Sequence, residues 1–521
     1  MKPDSQDLNR ERTHGEIMVV LVALMLAMLL GALDQTIVAT ALPRIASDLH
    51  GLSQLSWVAT AYLLTSAVSM PLYGKLGDMF GRKKILQTAI VIFLIGSALC
   101  GLSQNMNELI FFRALQGIGA GGLMTLILAV IGDIIPPRQR GRYQAYFGAV
   151  FGVASIAGPL LGGFFTDSLS WRWIFYINIP LGILALSAIA TRLHVPTNHN
   201  KHKIDYLGAA LLGTSAACLL LLTVWGGVSY PWASVQIIGL GIVSFVLAVA
   251  FVIRERFASE PILPLRLFKN DIFTVSTLMS FFVGFVMFGA IIFIPEYQQI
   301  VRGYSPIKSG LLLLPLVGGL LAGVMTSGIL ITRWGRYRFF PIAGSILVVI
   351  GIWLFSHISL STNQLTLTAW MIVLGIGIGP FMQTTTLAAQ NSVAREDLGS
   401  TTSTITFART IGSALGAAIF GAVLINVLIG NLHKLLPAHS GQPPITAASL
   451  QSGTVALHGL PPQVLHVVLT AFADAFQTVF LVGIPFALLL VVLAFLLRET
   501  PLRTSSHEAN AGESPTLSHA G

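Results

Sequence analysis

The chain has 521 residues, of which 54% are hydrophobic and only 10% are charged, so most of it must lie in lipid rather than around a water-facing core. The formal net charge is +9, but the basic residues lie in short loops between apolar runs, which indicates membrane topology and gives no reason to expect a nucleic-acid partner. Both cysteines fall inside apolar runs and indicate neither a disulfide framework nor a metal site.

Apolar runs recur along the chain, each long enough to cross a hydrocarbon core of about 30 Å as a helix. With the N-terminus in the cytoplasm, 23 of the 30 Lys and Arg lie on that side, 5 lie opposite, and Arg113 and Arg409 lie inside spans. The positive-inside rule therefore places both termini in the cytoplasm. We predict fourteen membrane-spanning helices, at residues 17–37, 56–76, 85–103, 108–132, 142–165, 171–192, 205–225, 234–253, 272–294, 309–332, 338–358, 365–388, 404–429 and 477–497.

A short internal repeat suggests how these spans are grouped. "GDMFGRKK" follows the second span and "ITRWGRYR" follows the tenth, which aligns Gly81 with Gly335 and Arg82 with Arg336. The end of the long external loop, "PPQVLHVVLTAFADAFQ", is consistent with an amphipathic helix on the membrane surface. The predicted units are a cytoplasmic N-terminus (1–16), a six-helix bundle (17–204), a two-helix insert (205–253), an interfacial cytoplasmic linker (254–271), a second six-helix bundle (272–497) with an external loop (430–477), and a disordered cytoplasmic tail (498–521).

Several motifs together resemble one family. "GKLGDMFGRKK" (74–84) has the form G-x-x-x-D-x-x-G-R-K and resembles the loop signature of the major facilitator superfamily. "ALDQTIVATALPRIA", "RALQGIGAGG" and "GPLLGG" resemble the first-, fourth- and fifth-span motifs of its drug:proton antiporters, and "WRWIFYINIPLG", "LRLFKN" and "AQNSVAREDLGSTTS" are typical of fourteen-span multidrug exporters of the EmrB/QacA type. The resemblance covers about residues 17–497 and implies an all-α membrane protein with the major facilitator fold, two six-helix bundles plus a two-helix insert.

Asp34 is a lone carboxylate at membrane depth. Its ionised form costs roughly 2.5–3.5 kcal/mol at mid-bilayer, so it requires a cavity, a partner or frequent protonation. Removal from water disfavours the ionised form, which makes Asp34 a candidate for reversible protonation. The resemblance implies that this acid carries the transported proton. A structural acid hydrogen-bonded to Gln35 or Thr36 is the alternative.

Arg113 lies in an uncharged run and must face the bundle interior, because facing lipid would cost several kcal/mol. The resemblance implies that it tunes Asp34; the alternative is a fixed Arg–Asp pair that joins two helices. Gly117, Gly119 and Gly122 form G-x-G-x-x-G, but they lie in a membrane helix rather than a βαβ unit, so we predict close helix packing and no dinucleotide.

The loop motif and the fifth-span motif are expected to control opening and closing. Asp78 is placed to meet a helix N-terminus or a cation such as Arg142. The resemblance implies that the 158–163 motif seals the cavity where the two halves meet, with simple tight packing as the alternative. The predicted gating residues are Gly74, Asp78, Gly81, Arg82, Arg142, Gly158, Pro159, Gly162 and Gly163.

Substrate is expected near mid-membrane between the two halves. Methionine and aromatic side chains adapt to many ligand shapes, although each of these could instead serve packing alone. Glu296, beside Pro295, is either a second acid near the outer mouth or a solvated surface charge. The predicted substrate-binding residues are Tyr62, Met70, Gln116, Met124, Phe285, Met287, Phe288, Glu296, Gln383 and Asn391.

The sequence thus predicts a monomeric proton-coupled multidrug antiporter of the cell membrane that needs no metal or other cofactor, only a proton gradient. Because Asp34 alone among the acids is deep, we expect about one proton per substrate, and lipophilic neutral or monocationic compounds rather than dications. Export of a lipid or secondary metabolite is the nearest alternative, mildly favoured by the external loop, and uptake by symport is another. A membrane enzyme or sensor is disfavoured, because HExxH, GxSxG and Walker motifs are absent and both termini are short.

Overall fold

The computed structural model describes residues 14–50, 54–193, 205–227, 229–435 and 461–502. Twelve helices in these ranges are long and apolar enough to cross a membrane. Leu55–Phe80 and Phe339–Phe355 occupy the two remaining predicted spans, so the prediction of fourteen spanning helices agrees with the structure. Helices form here because a segment in lipid must satisfy its backbone polar groups internally.

The first half of the chain and the insert contain nine helices within the described ranges. The short α6 and the longer α7 together make the sixth span. The helices are α1 (His14–Asp48), α2 (Leu55–Phe80), α3 (Arg82–Leu102), α4 (Met106–Ile134), α5 (Pro137–Ser168), α6 (Trp173–Tyr176), α7 (Asn178–Arg192), α8 (Tyr206–Trp225) and α9 (Val235–Phe257).

The second half contributes seven more helices in its described residues. A 3₁₀ turn, Leu265–Lys269, lies in the linker before them, and the short α11 leads into the long α12. The helices are α10 (Asp271–Ile300), α11 (Pro306–Leu311), α12 (Leu314–Trp334), α13 (Phe339–Phe355), α14 (Gln364–Ser392), α15 (Leu398–Leu435) and α16 (Pro462–Leu496).

The two halves repeat one packing scheme. Helix α1 packs on α5, and α2 and α3 pack on α4; in the second half α10 packs on α15, and α12 and α13 pack on α14. Gly81 and Gly335 occupy equivalent turns after α2 and α12, and both have a positive φ, 90° and 70°. A positive φ is readily adopted only by glycine, so the alignment of these two turns has a structural basis.

Each half has its own apolar core, and the halves meet through α5 with α12 and α2 with α15. The insert lies on the outside of this interface, with α8 against α2 and α15. Its two helices exchange hydroxyl contacts, Ser215 Oγ to Ser244 O at 2.8 Å and Ser244 Oγ to Ser215 O at 2.9 Å. The fold is therefore two six-helix bundles with a two-helix insert, as predicted.

The structure differs from the sequence prediction at the last span. The segment predicted to lie on the membrane surface is the first part of α16, continuous with the span itself. Phe476 packs edge-on against Tyr297, with ring centroids 5.7 Å apart, and Gln477 Nε2 donates to Ile358 O at 2.7 Å. Because of these contacts with other parts of the second bundle, the segment continues the spanning helix instead of lying on the membrane surface. The predicted external loop is correspondingly shorter, and residues 436–460 lie outside the described residues.

The start of the predicted disordered tail is also packed. Thr500 N donates to the Tyr337 hydroxyl at 3.1 Å, and that hydroxyl donates to Arg498 O at 2.9 Å. Asn391 Nδ2 donates to Pro501 O at 3.1 Å. The ends of α12 and α14 thus hold the chain as far as Leu502, and the rest of the predicted tail lies outside the described residues.

Candidate functional site

Asp34 lies on α1, is fully buried, and has three polar partners. Arg113 Nη1 donates to Asp34 Oδ2 at 2.7 Å as an ion pair. Gln116 Nε2 and Asn178 Nδ2 donate to Oδ1 at 2.8 and 3.2 Å. These partners come from α4 and α7, so the carboxylate joins three helices of the first half. The alternative partners Gln35 and Thr36 do not hold it: Thr36 Oγ1 instead donates to Ala154 O of α5 at 2.9 Å.

Arg113 is only 2% exposed, and its guanidinium donates to several groups of the first half. Nη1 also donates to Gln116 Oε1 at 2.8 Å, and Nε donates to Val58 O at 3.3 Å. The plane of Tyr62 lies beneath it, with Arg113 Cζ 4.2 Å from the ring centroid. The predicted Arg–Asp pair thus exists, and both of its members are buried and hydrogen-bonded to neighbouring groups, so their opposite charges stabilise each other.

Sequence reasoning missed Asn178 and Ser97 as members of this site. Asn178 Nδ2 donates also to Ser97 Oγ at 3.0 Å, and Ser97 Oγ donates to Phe175 O at 2.8 Å. Asn178 is the only polar side chain in the apolar stretch "IFYINIPLG", which is the signal that would have found it. Among the described residues, Asn178 Oδ1 and the Tyr62 hydroxyl of this cluster are buried without a hydrogen-bond partner.

The glycine pattern of α4 provides close helix contact, as predicted. A Cβ added at Gly117 would collide with Tyr62 O and Thr65 of α2, and one at Gly119 would collide with Ala89 O and the Phe93 backbone of α3. Thr65 Oγ1 then reaches Ala114 O across the gap at 2.8 Å. Small residues on two faces of α4 let α2 and α3 approach it, which sets the positions of Tyr62 and Arg113.

A second site lies at the predicted cytoplasmic end, where α2 meets the start of α15. Asp78 accepts hydrogen bonds from Gly399 N at 2.9 Å, Ser400 N at 2.8 Å and Ser400 Oγ at 3.1 Å. The carboxylate therefore caps the N-terminus of a helix in the opposite half, which is one of the two partners predicted for it. A Cβ at Gly74 would collide with Ser403 and Gly399 O. We call the contacts of Gly74 and Asp78 with Gly399, Ser400 and Ser403 the α2–α15 seal.

Arg82, in the same half of the molecule, forms an ion pair with Asp78. Its Nη2 pairs with Asp78 Oδ1 at 2.8 Å and its Nη1 with Asp133 Oδ2 at 2.6 Å, and Nη1 also donates to Ala129 O at 2.7 Å. Asp133 was not predicted as a site residue. Gly81, with its positive φ, provides the turn that brings Arg82 back over the end of α2.

A further contact between the halves lies nearby. Arg140 Nη1 donates to Gln390 Oε1 of α14 at 3.1 Å, and Gln390 Nε2 donates to Thr402 Oγ1 of α15 at 2.8 Å. Arg140 is additionally bonded to Ile135 O at 2.7 Å and to Gly132 O. The basic residue that crosses to the other half is thus Arg140. The side chain of Arg142, the predicted partner of Asp78, lies outside the described residues.

The fifth-span motif lies against α1 rather than at the junction of the two halves. A Cβ at Gly158 would collide with Thr36 Oγ1, two residues beyond Asp34, whereas one at Gly163 would meet nothing within 4 Å. Gly162 O accepts from Thr166 Oγ1 at 2.5 Å, and the Pro159 side chain lies outside the described residues. The glycines of α5 that face the other half are Gly148 and Gly152, opposite Leu321 and Val324 of α12. This part of the gating prediction is corrected accordingly.

The predicted substrate residues of the first half have other neighbours. Tyr62 and Gln116 belong to the Asp34 cluster itself. Met124 packs on α1, where its Cε would lie 2.9 Å from a Cβ added at Gly31. Met70 Sδ accepts from Thr410 Oγ1 of α15 at 3.8 Å, so it alone of this group lies at the junction of the halves.

Most of the predicted substrate residues in the second half contact other residues of that same half. Phe285 stacks with Phe486 at a centroid distance of 4.2 Å, and Met287 lies in the same apolar core. Gln383, with its amide oriented to satisfy both ends, donates to Val324 O at 3.3 Å and accepts from Gly328 N at 2.9 Å. Asn391 holds the segment after α16, so it does not line a central cavity. Phe288, at 37%, is the most exposed of the predicted substrate residues. The sequence placed these residues on the right helices but could not tell which way each faces.

Glu296 lies near the end of α10 and is partly buried. Its neighbour Tyr297 donates through its hydroxyl to Ser359 O at 2.7 Å, but the Glu296 carboxylate makes no hydrogen bond or ion pair with the described residues. Its role as a second acid stays a prediction.

The family of the chain follows from a comparison with known protein families. A sequence model of the Major Facilitator Superfamily matches residues 24–417. The chain belongs to the major facilitator superfamily. The family and the fold indicate a multi-pass membrane transporter rather than an enzyme.

Individual relatives agree with this assignment. The transporter is 42% identical over 490 residues to an uncharacterised MFS-type transporter of Mycobacterium tuberculosis, covering 94% of this chain and 70% of the relative. It is 38% identical over 486 residues to multidrug resistance protein 3 of Bacillus subtilis, covering 92% and 94%. Among solved structures it resembles a proton:xylose symporter of the same superfamily, with a TM-score of 0.62, 14% identity, and coverage of 96% and 99%. That last likeness shows the fold alone.

Proposed function

We propose that the protein is a proton-coupled antiporter that exports lipophilic small molecules by alternating access. It acts as a monomer in the cell membrane, with both termini in the cytoplasm. Similarity to multidrug resistance protein 3 of Bacillus subtilis supports the export of drug-like compounds.

The buried Asp34–Arg113 pair carries the proposal. In the structure the carboxylate accepts three hydrogen bonds, and one of them comes from the Arg113 guanidinium. A shift of α1 against α4 by a few ångströms would remove the cation and leave a desolvated acid, which binds a proton. Alternate formation and loss of one ion pair is therefore sufficient to couple proton release and uptake to conformation.

The α2–α15 seal supports alternating access. Asp78 and Arg140 both bridge the halves at the predicted cytoplasmic end, which corresponds to a state closed on that side. Asp78 bonds to backbone N–H groups of α15, a contact that a rocking motion of one half breaks as a unit. The opposite state requires the loss of these hydrogen bonds.

One proton moving inward provides about 2.3 kcal/mol per 100 mV and about 1.36 kcal/mol per pH unit. Asp34 is the one acid that lies paired in the middle of a described span, which is consistent with about one proton per cycle and argues against dications. The sequence predicts neutral or monocationic compounds.

The test is transport in proteoliposomes with an imposed pH gradient, using a panel of lipophilic cations, neutral drugs and lipids. We expect Asp34→Asn to abolish gradient-driven movement while substrate exchange without a gradient persists, because the amide can keep the fold but cannot release a proton. Asp474→Asn makes the same change at an exposed acid of α16 and should transport like the wild type.

Full gradient-driven transport by Asp34→Asn would remove Asp34 from the mechanism. Movement of lipids alone would instead identify a lipid exporter. Accumulation of substrate on the side from which protons leave distinguishes antiport from symport in the same assay.

A further inference from the structure

The protein contains a second arginine at membrane depth that lacks the environment of Arg113. Arg409 lies on α15 and is partly buried. Its side chain makes one hydrogen bond with the described residues, from Nη1 to Met382 Sδ at 3.7 Å, and no ion pair. A thioether is a weak acceptor, and a guanidinium has five N–H donors. Arg113, by contrast, has a carboxylate, an amide oxygen and a backbone carbonyl.

Arg409 lies inside the predicted span 404–429 rather than at its end. It lies eleven residues beyond the start of α15, and Met382 and Met70 lie ten residues before the ends of α14 and α2 at the same face. At about 1.5 Å per residue, each of these residues is roughly 15 Å along its helix from that end, so the three lie at a similar level. Thr410, next to Arg409, donates to Met70 Sδ at 3.8 Å, which places this level of α15 at the junction of the two halves.

The backbone of Arg409 packs against α10, in a part of the second half that is rich in aromatic residues. A Cβ added at Gly284 of α10 would collide with Arg409 O, so this stretch of α10 lies directly against it. The neighbouring Phe285 stacks on Phe486 at 4.2 Å, and Phe282 lies 6.4 Å from the same ring. A permanently charged guanidinium at this depth, with no carboxylate of the described residues within ion-pair distance, provides a position at which an anion is stabilised.

We propose that Arg409 binds an anionic group of the transported compound, a carboxylate or a similar oxyanion on a lipophilic body. The inference rests on the proposed function and changes the substrate class predicted from the sequence, from neutral and monocationic compounds to neutral and acidic ones. A monocation at the same level meets an uncompensated positive charge. Export of a monoanion in exchange for an entering proton moves two charges, so the membrane potential acts on both partners.

The test is equilibrium binding to the full-length protein in phosphatidylcholine nanodiscs at pH 7, with three ligands that share a pyrene body. They are 1-pyrenebutyrate, its neutral methyl ester and 1-pyrenemethylammonium. We expect Arg409→Gln to weaken pyrenebutyrate binding at least about tenfold, since hydrogen bonds to charged groups are among the strong ones. Binding of the ester should change by less than about twofold and that of the ammonium should improve, because removing the guanidinium removes a repulsion and no contact to the pyrene.

Two further variants serve as controls. Arg409→Lys keeps the charge and should keep most of the preference for the anion, although not the planar two-point contact. Arg256→Gln removes a positive charge from the exposed end of α9 and should leave all three affinities unchanged. Because no proton gradient is applied, the result is independent of whether Asp34 couples transport, and the two proposals fail separately.

Unchanged pyrenebutyrate binding in Arg409→Gln would overturn the inference. Equal weakening of all three ligands would also overturn it, because it would indicate a structural role. Phosphatidylglycerol nanodiscs provide the remaining arm. If that lipid displaced pyrenebutyrate from the wild type, the guanidinium would be a site for lipid headgroups, and the assignment to substrate would be wrong.

Discussion

Asp78 offers the sharpest test of the α2–α15 seal. Asp78→Asn keeps the size of the side chain but removes its charge and replaces one acceptor oxygen by a donor that faces the N–H groups of Gly399 and Ser400. The bond of Asp78 to Arg82 lies within one half, so only the three contacts with α15 link the two halves. At about 1.5–3 kcal/mol for a hydrogen bond to a charged group, loss of one such contact disfavours the closed form by about 2 kcal/mol. That is about thirtyfold in the ratio of closed to open molecules.

The assay is labelling of a cysteine introduced at Ser403 by a membrane-impermeant maleimide. Ser403 is 1% exposed and lies where a side chain on Gly74 would collide with it, so it is shielded while the seal is closed. We expect Ser403→Cys to react at least about tenfold faster when combined with Asp78→Asn, because labelling follows the open fraction. The parent chain, with Cys100 buried and Cys218 partly buried, gives the background.

Asp271→Asn is the matched control, since it makes the same change in an exposed ion pair with Arg498 at the same end of the molecule. Such pairs contribute little, and labelling at Ser403→Cys should stay within about twofold of the parent. Equal labelling rates in the Asp78 and Asp271 variants would show that the carboxylate does not hold the seal, and the reasoning from capping hydrogen bonds would be wrong.

Two other predictions follow from single contacts. Gly158→Ala should lower the melting temperature and the transport rate, because its Cβ would collide with Thr36 beside Asp34, whereas Gly163→Ala, which meets nothing within 4 Å, should leave melting unchanged; equal melting of both variants would contradict the packing. Burial raises the pKa of Asp397, outside the spans, and Arg266, 2.9 Å away, opposes this. Protonation of Asp397 therefore favours the folded state, and its contribution is present at acid pH and lost as the pH rises through its folded pKa. Arg266→Gln should steepen the fall in melting temperature as the pH rises above the ordinary range of a carboxyl group, and an identical fall in both proteins would refute this.

Agreement between sequence and structure is closest where lipid constrains a segment by itself. A run of apolar residues has few ways to satisfy its backbone in a membrane, so the fourteen helices could be located one at a time. The same argument found Asp34 and Arg113, because charges in such runs must face inward and meet a partner. The turn at Gly81 was recognisable because the motif that carries it repeats at Gly335.

Agreement is weakest where the answer depends on which face of a helix meets which neighbour. Apolar spans have polar and small residues on all sides, so their pattern did not show that Gln383 bonds to α12 or that Asn391 holds the chain after α16. The same holds for Gly148 and Gly158, which lie on one helix but face different partners.

By itself the sequence determined the membrane class, the spans, the repeat and the existence of a buried acid and base, since each follows from the cost of placing charge and backbone in lipid. Only the tertiary structure decided that Asn178 joins Asp34, that Asp78 caps α15, and that Arg409 has no carboxylate beside it within the described residues. Those facts depend on the packing of helices distant in sequence, where a rotation of one helix by a single residue, about 100°, exchanges every partner.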